Sequence, residues 1–478
     1  MSDALESLIL LRKDALSEPL PHTEAGWIDS LRRDALACFE EQGVPTRRLE
    51  EWKGTNFAPL SSMQFTRVGP SEAAITSRHD ALGDLAEDQD PLLVFIDGRF
   101  DHEASRLTNL PAGLRAMSLA EVLANEPEVI EGRLAALTDL KVQPLVALQT
   151  AFLSDGGVLI VERDTQIERP IRLQFISTRD SAHDSSNNST NSDPSQTATN
   201  SASFPRLLVL AGSKSSLTLL QEHVCDGEAP GLTAYVAELH LADGAHVESL
   251  EIQAEDATRI HFTSTHARLE ANATFDSHVI SVGNGLVRSE LAITLAEPDS
   301  QTTLCGLFFG RDNAHLDHFT TVDHAAERCT SDEEYRGILA GESKGVFRGR
   351  VLVRPGAQKT DAKQQNANLL LSDRATIDTK PQLEIYADDI RASHGSTIGQ
   401  LDMDALFFLR TRGVGLEEAK RLLTGAFAHG VVARIKSEAL RQTATLHIDA
   451  ALNSLSDPTR GMSRLAHSST SEADRTDS

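Results

Sequence analysis

Short apolar runs separated by turn residues dominate the chain from residue 91 to residue 400. The run Leu92–Ile96 is wholly apolar and is followed by Asp97 and Gly98, a pattern typical of a buried strand and a turn. Residues 157–161 and 171–175 show a similar pattern. We therefore predict that residues 91–400 form a mainly β core of many short strands.

Within this core, over residues 217–384, short turns of small residues alternate with strands at a repeated spacing. Similar runs start at Ala245, Ala273 and Gln301, which are 28 residues apart. Short strands at such a spacing, poorly matched to hairpin turns, favour a solenoid in which each β-coil contacts its neighbours. An antiparallel sandwich is the alternative, because the later units near Phe347 and Ile377 are less regular.

Helical patterns flank the core on both sides. Trp27, Leu31 and Phe39 recur at helical spacing, and apolar residues do the same over 406–427 and 437–455. We predict an N-terminal helical region over residues 1–90 and a C-terminal helical region over residues 401–455. Residues 180–203 and 456–478 are polar with few apolar side chains, so we expect a disordered insertion and a disordered tail there.

The charge of the chain narrows the range of functions that it can have. Its 478 residues include 70 Asp or Glu and 45 Lys or Arg, which gives a formal net charge of −25. Such a charge repels phosphate and argues against a general binder of nucleic acid or anionic membranes. No apolar stretch approaches the roughly 20 residues that span a bilayer, and no basic segment precedes an apolar run at the N-terminus. We expect a cytoplasmic protein without membrane insertion.

Two glycine-containing segments fail as nucleotide-binding motifs. In residues 212–215, Ser213 stands where a P-loop requires its second glycine, and the pattern predicts a following strand rather than a helix. The pair Gly413 and Gly415 is followed by Glu418 where a third glycine is needed. We assign no nucleotide role to either segment.

Histidine and carboxylate side chains are concentrated in residues 315–324. On a strand, His315 and His318 point to opposite faces, which favours ordinary strand alternation over a metal site. Cys305 and Cys329 flank this segment, and the chain has no CxxC pair. We interpret both cysteines as small buried apolar side chains rather than thiolate ligands or sulfur acceptors.

A third candidate is His394, in residues 393–397, where the β core meets the C-terminal helices. A histidine followed by glycine at such a junction is suited to act as an exposed ligand. A turn histidine bonded to the backbone is an equal alternative on residue type alone.

Long motifs follow one another in the second half of the chain. They occupy residues 312–339, 344–350, 363–371, 380–389 (KPQLEIYADD), 393–400 (SHGSTIGQ) and 407–414, and residues 47–53 (RRLEEWK) and 95–98 (FIDG) precede them. In this order they resemble the SufB/SufD family, whose members work in iron–sulfur cluster assembly.

The resemblance implies a right-handed parallel β-helix flanked by helical regions. In this family SufB and SufD pair through their β-helices, and each binds one copy of the ABC-type ATPase SufC through its C-terminal helices. The resemblance therefore implies a SufB-like and a SufC-like partner, a non-catalytic role for this chain, and ATPase activity in SufC. The side chains expected to contact SufC are Leu406, Phe407, Phe408, Arg410, Leu422 and Phe427.

Within the family, the chain resembles SufD rather than SufB. SufB-type chains carry a scaffold cysteine where this chain has Ala375, which can neither accept sulfur nor ligate iron. SufD chains have a functionally important histidine in the Ser-His-Gly motif, which corresponds to His394. The resemblance implies that His394 faces the SufB cysteine and helps to hold iron or a nascent cluster. The cysteine that often lies two residues earlier in SufD is replaced by Ala392.

We therefore expect no tightly bound cofactor. Iron or an iron–sulfur cluster would be held transiently together with SufB, and a flavin in the complex is left open. An exposed β-helix edge also favours pairing of the isolated chain, and whether it forms a homodimer or a heterodimer is left open. Two alternatives are a SufB-type scaffold, which Ala375 disfavours, and a polysaccharide-acting β-helix protein, for which no carboxylate pair stands out.

Overall fold

The computed structural model describes residues 26–63, 65–66, 90–178, 200–227, 229–283 and 285–455. The helices in this part of the chain are α1 (Gly26–Gln42), α2 (Leu119–Asn125), α3 (Pro144–Phe152), α4 (Met403–Thr411), α5 (Leu416–Val432) and α6 (Glu438–Ser454), with 3-10 segments at Glu50–Trp52, Ala58–Ser62 and Pro127–Val129. The strands are β1 (Phe65–Thr66), β2 (Leu92–Ile96), β3 (Arg99–Phe100), β4 (Leu114–Ser118), β5 (Gly156–Val161), β6 (Ile171–Thr178), β7 (Asn200–Ser203), β8 (Arg206–Ala211), β9 (Ser216–Asp226), β10 (Gly231–Leu241), β11 (His246–Gln253), β12 (Arg259–Leu269), β13 (Thr274–Ser281), β14 (Leu286–Leu295), β15 (Gln301–Gly310), β16 (His315–His324), β17 (Thr330–Leu339), β18 (Lys344–Val353), β19 (Asp361–Leu370), β20 (Thr376–Ile385) and β21 (Arg391–Gly399).

The strands form two sheets, which build a β-solenoid of about seven turns. The first sheet runs in the order β20-β18-β16-β14-β12-β10-β8-β5-β4, and the second in the order β21-β19-β17-β15-β13-β11-β9-β6-β2-β3. From β8 to β21, each strand pairs in parallel with the strand two places further along the chain. Parallel pairing requires a crossover between the paired strands, so the predicted β-helix is confirmed and the antiparallel sandwich is excluded.

Most coils of the solenoid turn a corner at a residue with positive φ. Lys214 (φ +59°) donates its backbone N–H to the carbonyl oxygen of Asp243 at 2.9 Å, in the next coil. Asn272 (φ +57°) donates in the same way to Pro298 at 3.1 Å, and Gly244 occupies the corner between them. Gly and Asn adopt this conformation more readily than other residues. The hydrogen-bond ladder therefore continues from the strands through the corners.

The strand register shows that one interval between coils is one residue shorter than predicted. Val247 pairs with Phe275, as the 28-residue interval predicts, but Gln301 pairs with Thr274 rather than with Ala273. The next interval, from Gln301 to its partner Thr330, is longer again. Coil length thus varies from turn to turn, since corners of different length still bring the same strand face onto the core.

The flanking helices cover the outer faces of the two sheets. On the first sheet, Phe39 of α1 and Leu145 of α3 belong to one apolar cluster with Phe262 of β12. On the second sheet, Val431 of α5 and Ile448 of α6 pack in a cluster that includes buried apolar side chains of β11, β13 and β15. The sheets are therefore apolar on their outer faces as well, where a helix covers them.

Two segments expected to be disordered lie largely outside the described residues. Of the expected insertion at 180–203, the last four residues, Asn200–Ser203, form strand β7, which pairs with β1 and β10. The rest of the insertion and the tail at 456–478 are not part of the described chain. None of the helices in the described residues has both the length and the apolar character needed to cross a bilayer.

Candidate functional site

The solenoid ends in two strands that each have a neighbour on one side only. In the described part of the chain, β20 is the last strand of the first sheet and β21 the last strand of the second. Apolar side chains are exposed here, with Tyr386 at 62% and Ile398 at 53% relative exposure. An exposed sheet edge carries free backbone N–H and C=O groups, and it is a template for pairing with another chain.

His394 lies in the middle of this open end. It belongs to β21, where every residue except Ala392 is exposed, and it pairs in register with Gln364 of β19. Gln364 in turn pairs in register with Glu333 of β17, and both of these side chains are buried. Register partners on parallel strands share a face, so His394 stands at the exposed end of a row that continues into the interior.

The two buried members of this row are connected by hydrogen bonds. Gln364 donates from Nε2 to Glu333 Oε2 at 2.7 Å, and Thr320 donates from Oγ1 to Glu333 Oε1 at 2.5 Å. Burial raises the pKa of Glu333 to about 7, and these two hydrogen bonds offset only part of that effect. The open end therefore combines an exposed imidazole with a buried carboxyl group that can exchange a proton near neutral pH.

Sulfur ligands are absent from the positions where the family resemblance places them. Ala375 is 5% exposed and packs in an apolar cluster with Phe308 and Leu339. Ala392 stands two residues before His394 in the outermost strand. Neither of these two alanine side chains can supply a sulfur ligand, so a sulfur ligand beside them would have to come from another chain.

The interpretation of Cys305 and Cys329 as buried apolar side chains agrees with their environment. Neither side chain is exposed, and burial raises the pKa of both thiols, to about 12 for Cys305. A raised thiol pKa keeps the thiolate fraction low at neutral pH. Neither cysteine has the environment of a reactive thiolate.

The histidines of β16 do not converge on a metal ion. His315 Nε2 lies 2.9 Å from Thr55 Oγ1, in the N-terminal region. His318 stacks on Phe308, with ring centroids 5.1 Å apart, and His324 Nε2 lies 2.9 Å from Ser331 Oγ. The predicted alternation of faces is confirmed, because His318 and His324 are buried in the solenoid while His315 faces the N-terminal region.

The segment 212–215 is a corner of the solenoid and not a phosphate loop. Gly212 and Lys214 make the turn between β8 and β9 through backbone hydrogen bonds to neighbouring coils. A strand follows directly, as the sequence predicts, so no helix N-terminus faces this loop.

The C-terminal helices divide into an anchored part and a projecting part. Arg336 of β17 donates from Nη1 to the carbonyl oxygen of Phe427 at 2.6 Å, and its guanidinium lies 5.2 Å from the centre of the Phe427 ring. Arg434 makes ion pairs with Asp332 at 2.7 Å and Glu334 at 3.0 Å. These contacts fasten the end of α5 to the second sheet.

The projecting part consists of α4 and the start of α5. Asp402 caps α4 by accepting hydrogen bonds from the backbone N–H groups of Asp404 and Ala405. Phe407 is 69% exposed and Phe408 is 53% exposed, and the guanidinium of Arg412 lies 3.3 Å from the centre of the Phe408 ring. Adjacent exposed phenylalanines on one short helix indicate a protein-binding surface.

The six side chains predicted to contact SufC are thus not equivalent. Four are exposed in or next to the projecting part: Phe407, Phe408, Arg410 and Leu422. Leu406 is buried at 6% exposure, and Phe427 packs partly buried against the solenoid. Helical spacing alone does not separate these two groups, since both recur at intervals of three or four residues.

The sequence did not indicate that residues 47–53 lie beside the last coils. Glu50 Oε1 forms an ion pair with Lys380 Nζ of β20 at 2.8 Å, and its carbonyl oxygen accepts a hydrogen bond from Arg348 of β18. Trp52 is buried under the guanidinium of Arg288, 4.4 Å from the ring centre. The N-terminal region therefore reaches the first-sheet side of the open end, through contacts more than 290 residues apart in the chain.

Two family models match the chain. The model of the SufBD core domain of the SUF system for FeS cluster assembly matches residues 194–427, and that of the SufBD protein N-terminal region matches residues 14–173. The matched residues include most of the solenoid, α4, much of α5 and the helical N-terminal region.

Relatives with similar sequences extend over most of the chain. An iron–sulfur cluster assembly SufBD family protein of Synechocystis is 27% identical over 427 residues, covering 88% of this chain and 90% of the relative. The iron–sulfur cluster assembly protein SufD of Escherichia coli is 27% identical over 400 residues, covering 84% and 87%. The protein of the same name from Bacillus subtilis is 24% identical over 438 residues, covering 88% and 93%.

Proposed function

The chain belongs to the SufBD family of iron–sulfur cluster assembly proteins, and we propose that it acts there as a SufD-like subunit with a SufB-like and a SufC-like partner. The observation that carries this proposal is the open end of the solenoid, where His394 lies in an outermost strand with a neighbour on one side only. In the proposed complex, iron entry and cluster formation take place at this end.

Pairing with a SufB-like solenoid uses the free edges of β20 and β21. Backbone groups of both edges form hydrogen bonds with the partner's terminal strands, and exposed Tyr386 and Ile398 bury apolar surface against them. Both sheets end at the same place, so two strands of each solenoid take part. A paired end of this kind encloses His394 between the two chains.

His394 supplies a nitrogen ligand for incoming iron. Imidazole is a suitable ligand for iron, whereas the alanine side chains at 375 and 392 offer none. Thiolate or sulfide therefore comes from the SufB-like partner. Below His394, the Glu333 carboxyl group loses or gains a proton near neutral pH and so adjusts the local charge when a cation arrives.

The SufC-like ATPase docks on the projecting part of the C-terminal helices. Phe407 and Phe408 are the main apolar contacts, with Arg410 and Leu422 beside them. Three residues separate the end of β21 at Gly399 from the start of α4 at Met403. Because this link is short, movement of α4 on ATP binding is transmitted to β21 and opens the junction near His394.

In this proposal the chain has no catalytic activity of its own, and SufC hydrolyses the ATP. Transient iron or an iron–sulfur cluster is cargo at the junction rather than a resident cofactor. A flavin in the complex, pairing of the isolated chain with itself and a cytoplasmic location stay predictions.

The proposal is tested by co-expressing the chain with SufB-like and SufC-like partners and reconstituting clusters in the purified complex. We expect His394→Ala to leave the subunit composition unchanged and to lower the iron and acid-labile sulfide assembled. His102→Ala is the matched control, because His102 is an exposed histidine in the N-terminal half of the chain. Equal iron and sulfide in both variants would contradict the ligand role of His394.

A further inference from the structure

Three side chains with metal-ligand chemistry meet inside the solenoid, among its earlier coils. They are His223 of β9, Glu251 of β11 and His261 of β12, and their ligand atoms all lie within 4.8 Å of one another. All three side chains are buried, and His223 is fully so. β9 and β11 belong to the second sheet and β12 to the first, so the three side chains point at one another across the interior.

The imidazole nitrogens that face this cluster have no hydrogen-bond partner. Both ring nitrogens of His223 and Nε2 of His261 are buried and unpaired. Buried polar atoms in proteins are nearly always paired. Unpaired ring nitrogens of two histidines beside one carboxylate therefore indicate that a ligand belongs between them.

Glu251 is also left without a cationic partner. It accepts a hydrogen bond from Gln253 Nε2 at 2.8 Å, and its nearest ionisable contact is His223, at 3.8 Å. Within the described residues, no Arg or Lys forms an ion pair with it. A buried carboxylate of this kind is stabilised by a bound cation.

A second layer of hydrogen bonds orients His261 towards the cluster. Its Nδ1 lies 2.6 Å from Glu255 Oε2, and Glu255 Oε1 accepts a hydrogen bond from Thr233 at 2.8 Å and pairs with Arg259 at 3.4 Å. The proton of His261 is therefore placed on Nδ1, and the lone pair of Nε2 points to the cluster. A carboxylate behind a histidine in this way is typical of histidines that bind metal ions.

Aromatic rings fix the orientation of His223. Phe175 stacks on the imidazole with ring centroids 4.7 Å apart and an interplanar angle of 9°, and Tyr235 meets its edge at 4.8 Å. These rings also close the site to solvent on that side. On the side of Glu251, a cavity of about 10 Å³ lined by Gln221, Ser249 and Thr265 has room for about one water molecule.

We propose that His223, Glu251 and His261 bind a divalent first-row transition-metal ion, iron(II) or zinc(II), inside the solenoid. Two imidazoles and one carboxylate are a ligand set used for both metals. Metal–ligand bonds of about 2.0–2.2 Å require the donor atoms to approach by roughly 1 Å, a movement that binding of the ion would impose. The site is separate from the open end, it does not depend on the proposed function, and an ion there ties the two sheets together.

The test uses the full chain refolded from denaturant without oxygen in the presence of cobalt(II), so that burial of the site does not prevent loading. Cobalt(II) replaces either metal and absorbs visible light when coordinated. We expect one equivalent to bind to the wild type, and binding to weaken at least tenfold in Glu251→Gln and in the double variant H223Q/H261Q. Competition with iron(II) and with zinc(II) then shows which ion the site prefers.

His318→Gln is the matched control, because His318 is equally buried in the same interior but lies in β16. It should bind cobalt like the wild type and gain thermal stability from it, whereas the ligand variants should gain none. X-ray absorption of the zinc-loaded wild type should show scattering from two imidazoles, and this measurement does not depend on the variants folding. Cobalt binding that is absent in the wild type or unchanged in the ligand variants, or the absence of imidazole scattering, would overturn the proposal.

Discussion

Arg206 and Glu238 form an ion pair with 2.6 Å between Nη2 and Oε2, and neither side chain is exposed to solvent. Arg206 lies on β8 and Glu238 on β10, which are neighbours in the first sheet. Glu238 also accepts hydrogen bonds from the backbone N–H groups of Ala135 and Leu137, at 2.7 and 2.9 Å, and Arg206 donates to Gln149 Oε1 at 2.7 Å. The pair therefore fastens the loop and helix of residues 135–149 to the solenoid.

The first prediction concerns this pair. Burial alone would raise the pKa of Glu238, but Arg206 and the backbone N–H groups more than offset that effect and hold the pKa below its usual value. Glu238→Gln leaves the Arg206 charge buried and unpaired, and we expect a loss of about 3–5 kcal/mol in the free energy of unfolding. Urea denaturation followed by circular dichroism measures this loss.

Asp299→Asn is the control for Glu238→Gln, because it breaks the exposed ion pair between Asp299 and Arg328. Exposed pairs contribute little to stability, so this variant should unfold like the wild type. Equal effects of the two substitutions would show that burial of the pair is unimportant.

The second prediction concerns the pH dependence of stability. The pKa of Glu333 is about 7 in the folded chain, whereas its ordinary value is 4.5. Between these values the folded state holds a proton that the unfolded state has lost, so the contribution of Glu333 to stability falls as the pH rises from 4.5 to about 7. Glu333→Gln removes this loss, which amounts to about 1.4 kcal/mol for each unit of pKa shift.

Unfolding free energies of Glu333→Gln and the wild type at about pH 5 and about pH 8 test this effect. The variant should gain relative to the wild type on going to the higher pH, because only the wild type has a carboxyl group to ionise at this buried position. Glu384→Gln, at a half-buried carboxylate whose pKa is lowered by Arg350, should show no such gain. A difference between Glu333→Gln and the wild type that is independent of pH would refute the raised pKa.

The third prediction concerns the open end. Ile398→Arg places a charge on apolar surface that the proposed pairing buries, so we expect the chain to stop co-eluting with a SufB-like partner in size-exclusion chromatography. The variant should still fold, because Ile398 is 53% exposed. Val142→Arg is the control, since Val142 is 63% exposed in the N-terminal half. Retention of the complex by Ile398→Arg would exclude this edge as the pairing surface.

The fourth prediction concerns the projecting helices. Phe408→Asp should abolish co-purification of a SufC-like partner, because a carboxylate replaces an exposed aromatic contact. Leu446→Asp is the control, as Leu446 is similarly exposed but lies on α6. If SufC binds both variants equally, the docking surface lies elsewhere.

Local patterns predicted the elements of this fold well. Short apolar runs bounded by turn residues predicted the strands of the core, and the period of three to four residues predicted α1, α5 and α6, whereas α2 and α3 lie inside the predicted β core and were not predicted. The faces of His315 and His318 were also predictable, because successive side chains on a strand point in opposite directions. The order of the long motifs indicated the family, and the family models and the relatives support this assignment.

Other features depend on how the coils stack. The pairing of Gln301 with Thr274 follows from corner lengths that the strand pattern does not reveal. Leu406 is buried and Phe407 is exposed although they are adjacent, because only one side of α4 packs against the rest of the chain.

By itself, the sequence predicted a β-solenoid between helical regions and indicated a place among iron–sulfur cluster assembly proteins. Only the tertiary structure decided that His394 stands above Gln364 and Glu333, and that His223, Glu251 and His261 meet inside the core. The physical reason is that strand and helix periods are encoded by neighbouring residues. Contacts between coils bring together residues tens of positions apart, and these exist only once the coils have stacked in register.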